Sequence, residues 1–251
     1  MNWSTNYYRS GLEPECQIVY DEILTCCLKM GRRIHIRQSI ANCNKICQAF
    51  SAVTLDHPEL YWLNSHILRG VFEPYGSDPY EIEPAYYFNK SEINPLASSI
   101  ESWKSTMVSR ANSSSPDSKP DELLQALLEG MRCGGGYSST CHTILGATDY
   151  GGKLIVCEGL AKSYKYLCDA LDIPCICVRG ILELREGRRC PHMWNIVEVN
   201  RSLRHVDATK HLVKAAYNEH SNCSCTSSRF GRCDSEMVGY SWDTSMTPPC
   251  T

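Results

Sequence analysis

The chain has 251 residues, 43% of them hydrophobic, and a net charge of −3. That is enough apolar material for one large or two small globular domains and excludes a disordered tail. Near charge balance, with no basic stripe interleaved with aromatics, leaves no electrostatic footprint for nucleic acid, and no apolar run approaches the roughly 18 residues that a membrane-spanning helix needs.

The opening MNWSTNYYRS lacks the apolar core of a secretory signal. A cytoplasmic location is the default expectation, and a secreted protein trimmed of its signal would read the same. Helical patterns follow near 14–30, 38–53 and 58–69. The Pro-, Tyr- and Gly-rich stretch Phe72 to Tyr87 reads as loop or short strand. Residues 110–121, RANSSSPDSKPD, are polar and proline-bearing and read as an exposed connection. We therefore divide the sequence into a mainly helical region, 1–117, and a catalytic region, 118–251, with a Ser/Cys-rich tail. A helix starting at Ser118 or Asp121 should bury Leu124, Leu127, Leu128 and Met131 until Cys133-Gly134-Gly135-Gly136 stops it.

The stretch 158–171 places Leu160, Tyr164, Leu167 and Leu171 on one helical face, so Cys157 lies at a helix N-terminus. Unpaired backbone N–H groups and the positive end of the helix dipole favour a thiolate there. Asp172-Ile173-Pro174 ends the helix, and Cys175 to Leu182 reads as a buried strand. Arg185-Glu186-Gly187-Arg188-Arg189 reads as a solvated loop at the rim, able to select an acidic group on a substrate. His192 heads a strand to Val199, Asn200-Arg201-Ser202 supplies turn chemistry, and Leu203 to Thr209 returns as the hairpin partner. Paired strands would hold His192 beside Asp207. The carboxylate would fix the imidazole tautomer, while the other ring nitrogen addresses the sulfur. A short helix, 210–217, should follow Thr209, and Tyr240-Ser241-Trp242 should pack back on the core.

Cys157-Glu158-Gly159, His192-Met193-Trp194-Asn195 and Asp207-Ala208-Thr209, in this order and on these elements, resemble the transglutaminase-like superfamily. Its members carry a Cys-x-Gly helix start, a His-x-Trp-Asn strand and an Asp-x-Thr strand. The likeness is tightest over 142–210. It extends more weakly to Asp56-His57-Pro58-Glu59-Leu60-Tyr61-Trp62-Leu63 and to Ser241-Trp242-Asp243 through Pro248-Pro249-Cys250, which are similar to segments of bacterial members. Leu128-Glu129 departs from the His-Asp pair that bacterial relatives often carry before the nucleophile. The resemblance implies an α+β fold, a papain-like or transglutaminase-like core in which the nucleophile helix packs on an antiparallel sheet, preceded by an N-terminal helical region. It also implies a Cys157, His192, Asp207 catalytic triad, with Trp194, Asn195, Glu158 and Gly159 as near-site support.

The expected chemistry is a Cys157 acyl-thioester formed from a carboxamide or peptide bond and passed to an amine or to water. A protein or peptide substrate with a glutamine or other amide group, and an amine co-substrate, are the partners this implies; no cofactor and no metal are required. A thiol protease or amidase that only hydrolyses, and a non-catalytic binding module on the same fold, remain alternatives. Each residue also has a structural alternative. Cys157 is one of sixteen cysteines, a type often buried as a small hydrophobe. His192 and Asp207 would suit a core and a turn, Trp194 suits packing, Asn195 could orient the hairpin, and His205 could be a second base. In a reducing compartment many cysteines would act as hydrophobes. Cys43 and Cys47 would share a buried helical stripe with Ile40 and Phe50, and Cys27 one with Val19, Ile23 and Met30. Cys168 falls on a helix, and Cys175 and Cys177 on one strand face. His220, Cys223, Cys225, Cys233 and Cys250 could hold a metal or form a local disulfide.

Overall fold

The computed structural model describes residues 3–71, 79–112, 115–134, 138–184, 187–217 and 231–251. It divides into two compact units, residues 5–97 and residues 1–4 with 98–251, where the sequence division was set at 117/118. Among the described residues no helix is long and apolar enough to cross a membrane.

In the 5–97 unit, the helices α1 (Tyr7–Gly11), α2 (Pro14–Lys29) and α3 (Cys43–Asp56) accompany a three-stranded antiparallel sheet. Its strands are β1 (Ile34–Ile36), β2 (Leu63–Val71) and β3 (Tyr80–Tyr86), in the order β1-β3-β2. Pro14 opens α2, where its missing N–H costs nothing, and the Asn42 side chain caps α3 by accepting from the Lys45 N–H at 3.0 Å. The buried Asp56 carboxylate accepts from the Tyr8 and Arg9 backbone N–H groups and the Tyr20 hydroxyl, so it fastens α1 and α2 to the end of α3.

Two expectations fail in this unit. Residues 58–69 are a turn and a strand, not a helix. Leu60, Leu63 and Ile67 imitate helical spacing, but Tyr61, Leu63 and Ser65 are buried alternately, the period of a strand. Cys47 is exposed and Cys43 only half-buried, because Ile46, Ala49, Phe50 and Val53 form the inward stripe of α3. Cys27 is buried as expected.

Helix α4 (Lys90–Ala111) had no counterpart in the sequence reading, which met Pro95 and a polar run there. Asn89 starts it with a reciprocal cap: Asn89 Oδ1 accepts from the Ser91 N–H at 3.2 Å, and Glu92 Oε2 accepts from the Asn89 N–H at 2.8 Å. Helix α5 (Lys119–Leu128) begins after Ser118 and ends earlier than the expected glycine stop. Glu129 turns extended and Gly130 reverses the chain at φ +74°. Arg132–Cys133 (β4) then pairs in parallel with Leu154–Ile155 (β5). Leu124 and Leu127 are buried as expected, while Leu128 packs only partly against the core.

Helix α6 (Cys157–Asp169) lies on a four-stranded antiparallel sheet of β6 (Cys175–Glu183), β7 (Arg189–Val199), β8 (Ser202–Val206) and β9 (Tyr240–Trp242), in the order β8-β7-β6-β9. Between β8 and β9 runs α7 (Ala208–Tyr217). The β7–β8 hairpin turns on Asn200 and Arg201, both at positive φ (52° and 61°), the twist-matched two-residue turn. Leu160, Tyr164, Leu167 and Cys168 of α6 bury against Leu123, Leu124 and Leu127 of α5 and against Cys175, Val197 and Val206 of the sheet. Each large apolar side chain contributes roughly 1.5–3 kcal/mol by leaving water. Polar bonds fix the packing: Tyr164 donates its hydroxyl proton to the Pro120 carbonyl at 2.9 Å, and the buried Lys165 ammonium bonds Asp169 and the Cys175 carbonyl. The α+β architecture expected from the sequence, with the helix that begins at Cys157 on an antiparallel sheet and helices before it, is the one present.

Candidate active site

Cys157 is the first residue of α6, after Val156 in extended conformation, and its side chain is half-buried. Gly159 explains why this helix start needs glycine at its third position. A Cβ there would lie 2.3 Å from the Cys141 carbonyl oxygen, 2.8 Å from Ile155 Cγ1 and 3.0 Å from the Thr143 carbonyl oxygen. The 3₁₀ turns at 139–142 and 144–147 pack onto the first turn of α6 through that gap, and the Val156 N–H donates to the Cys141 carbonyl at 3.2 Å.

His192 and Asp207 meet diagonally rather than directly across the ladder. Asn195 pairs with Val206, so Asp207 falls one step past the paired residues, opposite Trp194. His192 lies two residues along the same face as Trp194. The imidazole spans the offset, with Nε2 2.9 Å from Asp207 Oδ2. Because Asp207 is held below the usual carboxylate range, Nε2 carries the proton and donates. Burial of Asp207 works against its charge, but the hydrogen bond and charge of His192 and the Tyr240 hydroxyl outweigh it. The Cys157 side chain also acts on the His192 ring, and with Nε2 committed to Asp207 the nitrogen left for sulfur is Nδ1. Burial alone would lower the imidazole pKa; the bond to Asp207 and the nearby Cys157 side chain push it up to about 9.

The remaining expected residues fall into separate places. Trp194 is fully buried, lies near-parallel to the His192 ring at 6.1 Å between centroids, and donates Nε1–H to His205 Nδ1 at 2.9 Å. Asn195 points at α6, where Nδ2 donates to the Ala161 carbonyl at 3.0 Å and also to the Ile176 carbonyl, so it anchors α6 to the sheet. Glu158 is buried and accepts from Lys162 Nζ at 2.8 Å, with His142 Nδ1 at 3.2 Å. His205 sits beside Trp194 with Nε2 2.7 Å from Asp234 Oδ1, so both of its ring nitrogens are taken up in hydrogen bonds to Trp194 and Asp234.

Tyr240 is the site residue that the sequence reading assigned only to packing. Its hydroxyl donates to Asp207 Oδ2 at 2.5 Å, and its ring lies edge-on to Trp194. The bond links positions 33 residues apart, and no local pattern announces it. Gly180 admits this corner: a Cβ there would lie 2.4 Å from the Ser241 carbonyl oxygen and 2.7 Å from the Trp194 ring.

His205, Asp234 and Cys250 bring possible metal-ligating atoms within 4.8 Å of one another. The hydrogen bonding does not suit a metal. Indole N–H can only donate, so His205 Nδ1 is the lone-pair nitrogen and Nε2 carries the proton that Asp234 accepts. Coordination through Nε2 would need the opposite tautomer. His220, Cys223 and Cys225, the other residues of the tail cluster, lie outside the described residues. None of the described cysteines forms a disulfide, including the buried Cys168, Cys175 and Cys177.

No family model matches the sequence, and no curated protein matches it. Among solved structures, the chain is similar to a TGase (transglutaminase) with a TM-score of 0.41 and 14% identity, over 78% of this chain and 54% of that one. It is also similar to a protein of Cytophaga hutchinsonii provisionally named a cysteine protease, with a TM-score of 0.36 and 14% identity, over 57% of this chain and 62% of that one. The chain thus spans about half the length of the first of these proteins and less than two thirds of the second.

Proposed function

We propose that the protein is a thiol acyl enzyme of transglutaminase-like type. The observation that supports the reading is a single imidazole, His192, which bonds the Asp207 carboxylate through Nε2 and feels the Cys157 side chain at the start of α6, an influence that raises its pKa. Cys157, its thiol proton passed to His192 Nδ1, attacks as thiolate the carbonyl carbon of a glutamine carboxamide or peptide bond, and a C–S bond forms. As the C–N bond breaks, His192 gives its Nδ1 proton to the departing nitrogen, which leaves as ammonia or an amine. Asp207 holds the imidazolium from the Nε2 side throughout. The Cys157 backbone N–H, first in its helix and without an intrahelical acceptor, suits one position of an oxyanion hole. A primary amine or water then attacks the thioester, with His192 taking the incoming proton and sulfur leaving as thiolate.

Mass spectrometry of a glutamine-containing protein library, incubated with the protein with and without a labelled primary amine, tests this reading. Amine-labelled products report transfer; deamidated or cleaved products without label report transfer to water. Absence of any product that depends on Cys157 would sink the proposal.

A further inference from the structure

The Asp207 carboxylate receives four hydrogen bonds. Oδ1 accepts from the Thr209 N–H at 3.0 Å and the Lys210 N–H at 3.3 Å, while Oδ2 accepts from His192 at 2.9 Å and the Tyr240 hydroxyl at 2.5 Å. The first two come from the start of α7, and the last from β9, an edge strand of the sheet. We propose that Tyr240 is a positioning residue of the active site: its hydroxyl fixes the Asp207 oxygen that faces His192 and limits how strongly that oxygen draws the imidazole proton.

The argument rests on shared lone pairs. A carboxylate oxygen that already accepts a short O–H bond has less charge to offer a second donor, so Tyr240 and His192 compete at Oδ2. The phenol is well placed to remain the donor. Burial first, and then the charge of Asp207, push its pKa up, so it keeps its proton across the working range. Its ring is held from two sides, by Trp194 edge-on at 5.2 Å and by Lys210 Nζ 4.4 Å from the ring centroid. The other titratable groups around this corner have defined roles. Cys157 acts on His192, Arg232 acts on Tyr240 only through its charge, and His205 is paired with Asp234. The C-terminal strand thereby becomes part of the site it flanks, a role that packing alone would not give it.

This inference rests on the proposed acyl chemistry only in assigning His192 its purpose, so its test uses no substrate. In the full-length protein the His192 ring is titrated by NMR. Tyr240→Phe keeps the ring contacts and removes the competing donor, and the midpoint should rise by about half to one pH unit, the size of one hydrogen bond to a charged group. Replacing Tyr240 by 3-fluorotyrosine keeps the bond but makes the phenol a stronger donor, and the midpoint should fall; this arm also covers any failure of the phenylalanine variant to fold. Asp207→Asn, as the control, should lower the midpoint further. A Tyr240→Phe or fluorotyrosine midpoint equal to wild type, or moving in the opposite direction, overturns the proposal. If the midpoints move as stated while the protein library gives no Cys157-dependent product, the acyl-enzyme reading fails and the positioning role stands.

Discussion

Trp194 Nε1 donates to His205 Nδ1 at 2.9 Å, a bond between two fully enclosed side chains that fixes which nitrogen of His205 carries the proton. His205 is held below the ordinary histidine range, burial outweighing its bond to Asp234. A histidine kept neutral in the fold stabilises the protein fully above about pH 6.5 and loses that contribution as pH falls. Trp194→Phe should cost about 1–3 kcal/mol by leaving Nδ1 buried without a donor. It should also free Nδ1 to take a proton. Urea unfolding at pH 8 and pH 5 checks both: the deficit of the variant should be larger at pH 8 and shrink at pH 5.

His192 gives the opposite pH dependence. Its pKa is about 9 in the fold against the ordinary histidine value of 6.5, so the folded protein keeps a proton that the unfolded chain releases between those values. The stabilisation is present in full below about pH 6.5 and is lost as pH rises through about 9. It amounts to on the order of 3 kcal/mol. Thermal melting of wild type and His192→Gln from pH 6 to pH 10 should show curves that converge toward the alkaline end. A constant gap across that range would contradict the assignment.

Gly159→Ala should damage the site without touching its chemistry. The added methyl meets two backbone carbonyl oxygens, at 2.3 and 3.0 Å, and these cannot rotate away as a side chain would. Overpacking of this kind costs about 1–3 kcal/mol, and here relief must come from shifting the start of α6. A lowered melting temperature together with slower alkylation of Cys157 is the expected pair of results.

The site was readable in the sequence where local periodicity carried it. Leu160, Tyr164 and Leu167 marked α6, and the alternating run after His192 marked β7. Asn200-Arg201 marked the hairpin that returns Asp207 toward His192. Long-range contacts were not readable. The Tyr240 to Asp207 bond depends on β9 joining β6 at the sheet edge, which is a property of the topology rather than of any window of sequence. The helix missed at 90–111 is polar and carries Pro95 near its start, and its capping signal, Asn89 with Glu92, precedes no apolar run. The strand misread at 58–69 has apolar residues at steps that fit either period, and only its burial resolves them.

Lys162 and Glu158 form a buried pair at 2.8 Å, one turn apart beside the proposed nucleophile. Removing one partner from such a pair leaves a charge in a poor solvent and typically costs about 3–5 kcal/mol, whereas replacing both is far milder. Glu158→Gln should therefore destabilise more than the double variant Glu158→Gln with Lys162→Met. Denaturant midpoints of the two single variants and the double variant check this, and a double variant worse than either single would argue against the pair.

The central claim, that His192 and Asp207 activate Cys157, is tested most directly by limited iodoacetamide labelling near pH 6 with peptide mapping of all sixteen cysteines. Exposure alone favours the rivals Cys47 and Cys133, which are exposed where Cys157 is half-buried. Chemistry works against those two, since desolvation first and then a neighbouring thiol push both of them up. The account predicts that Cys157 is modified first in wild type and loses that lead in His192→Gln. Faster labelling of Cys47 or Cys133 in wild type, or an unchanged Cys157 rate in His192→Gln, would contradict it.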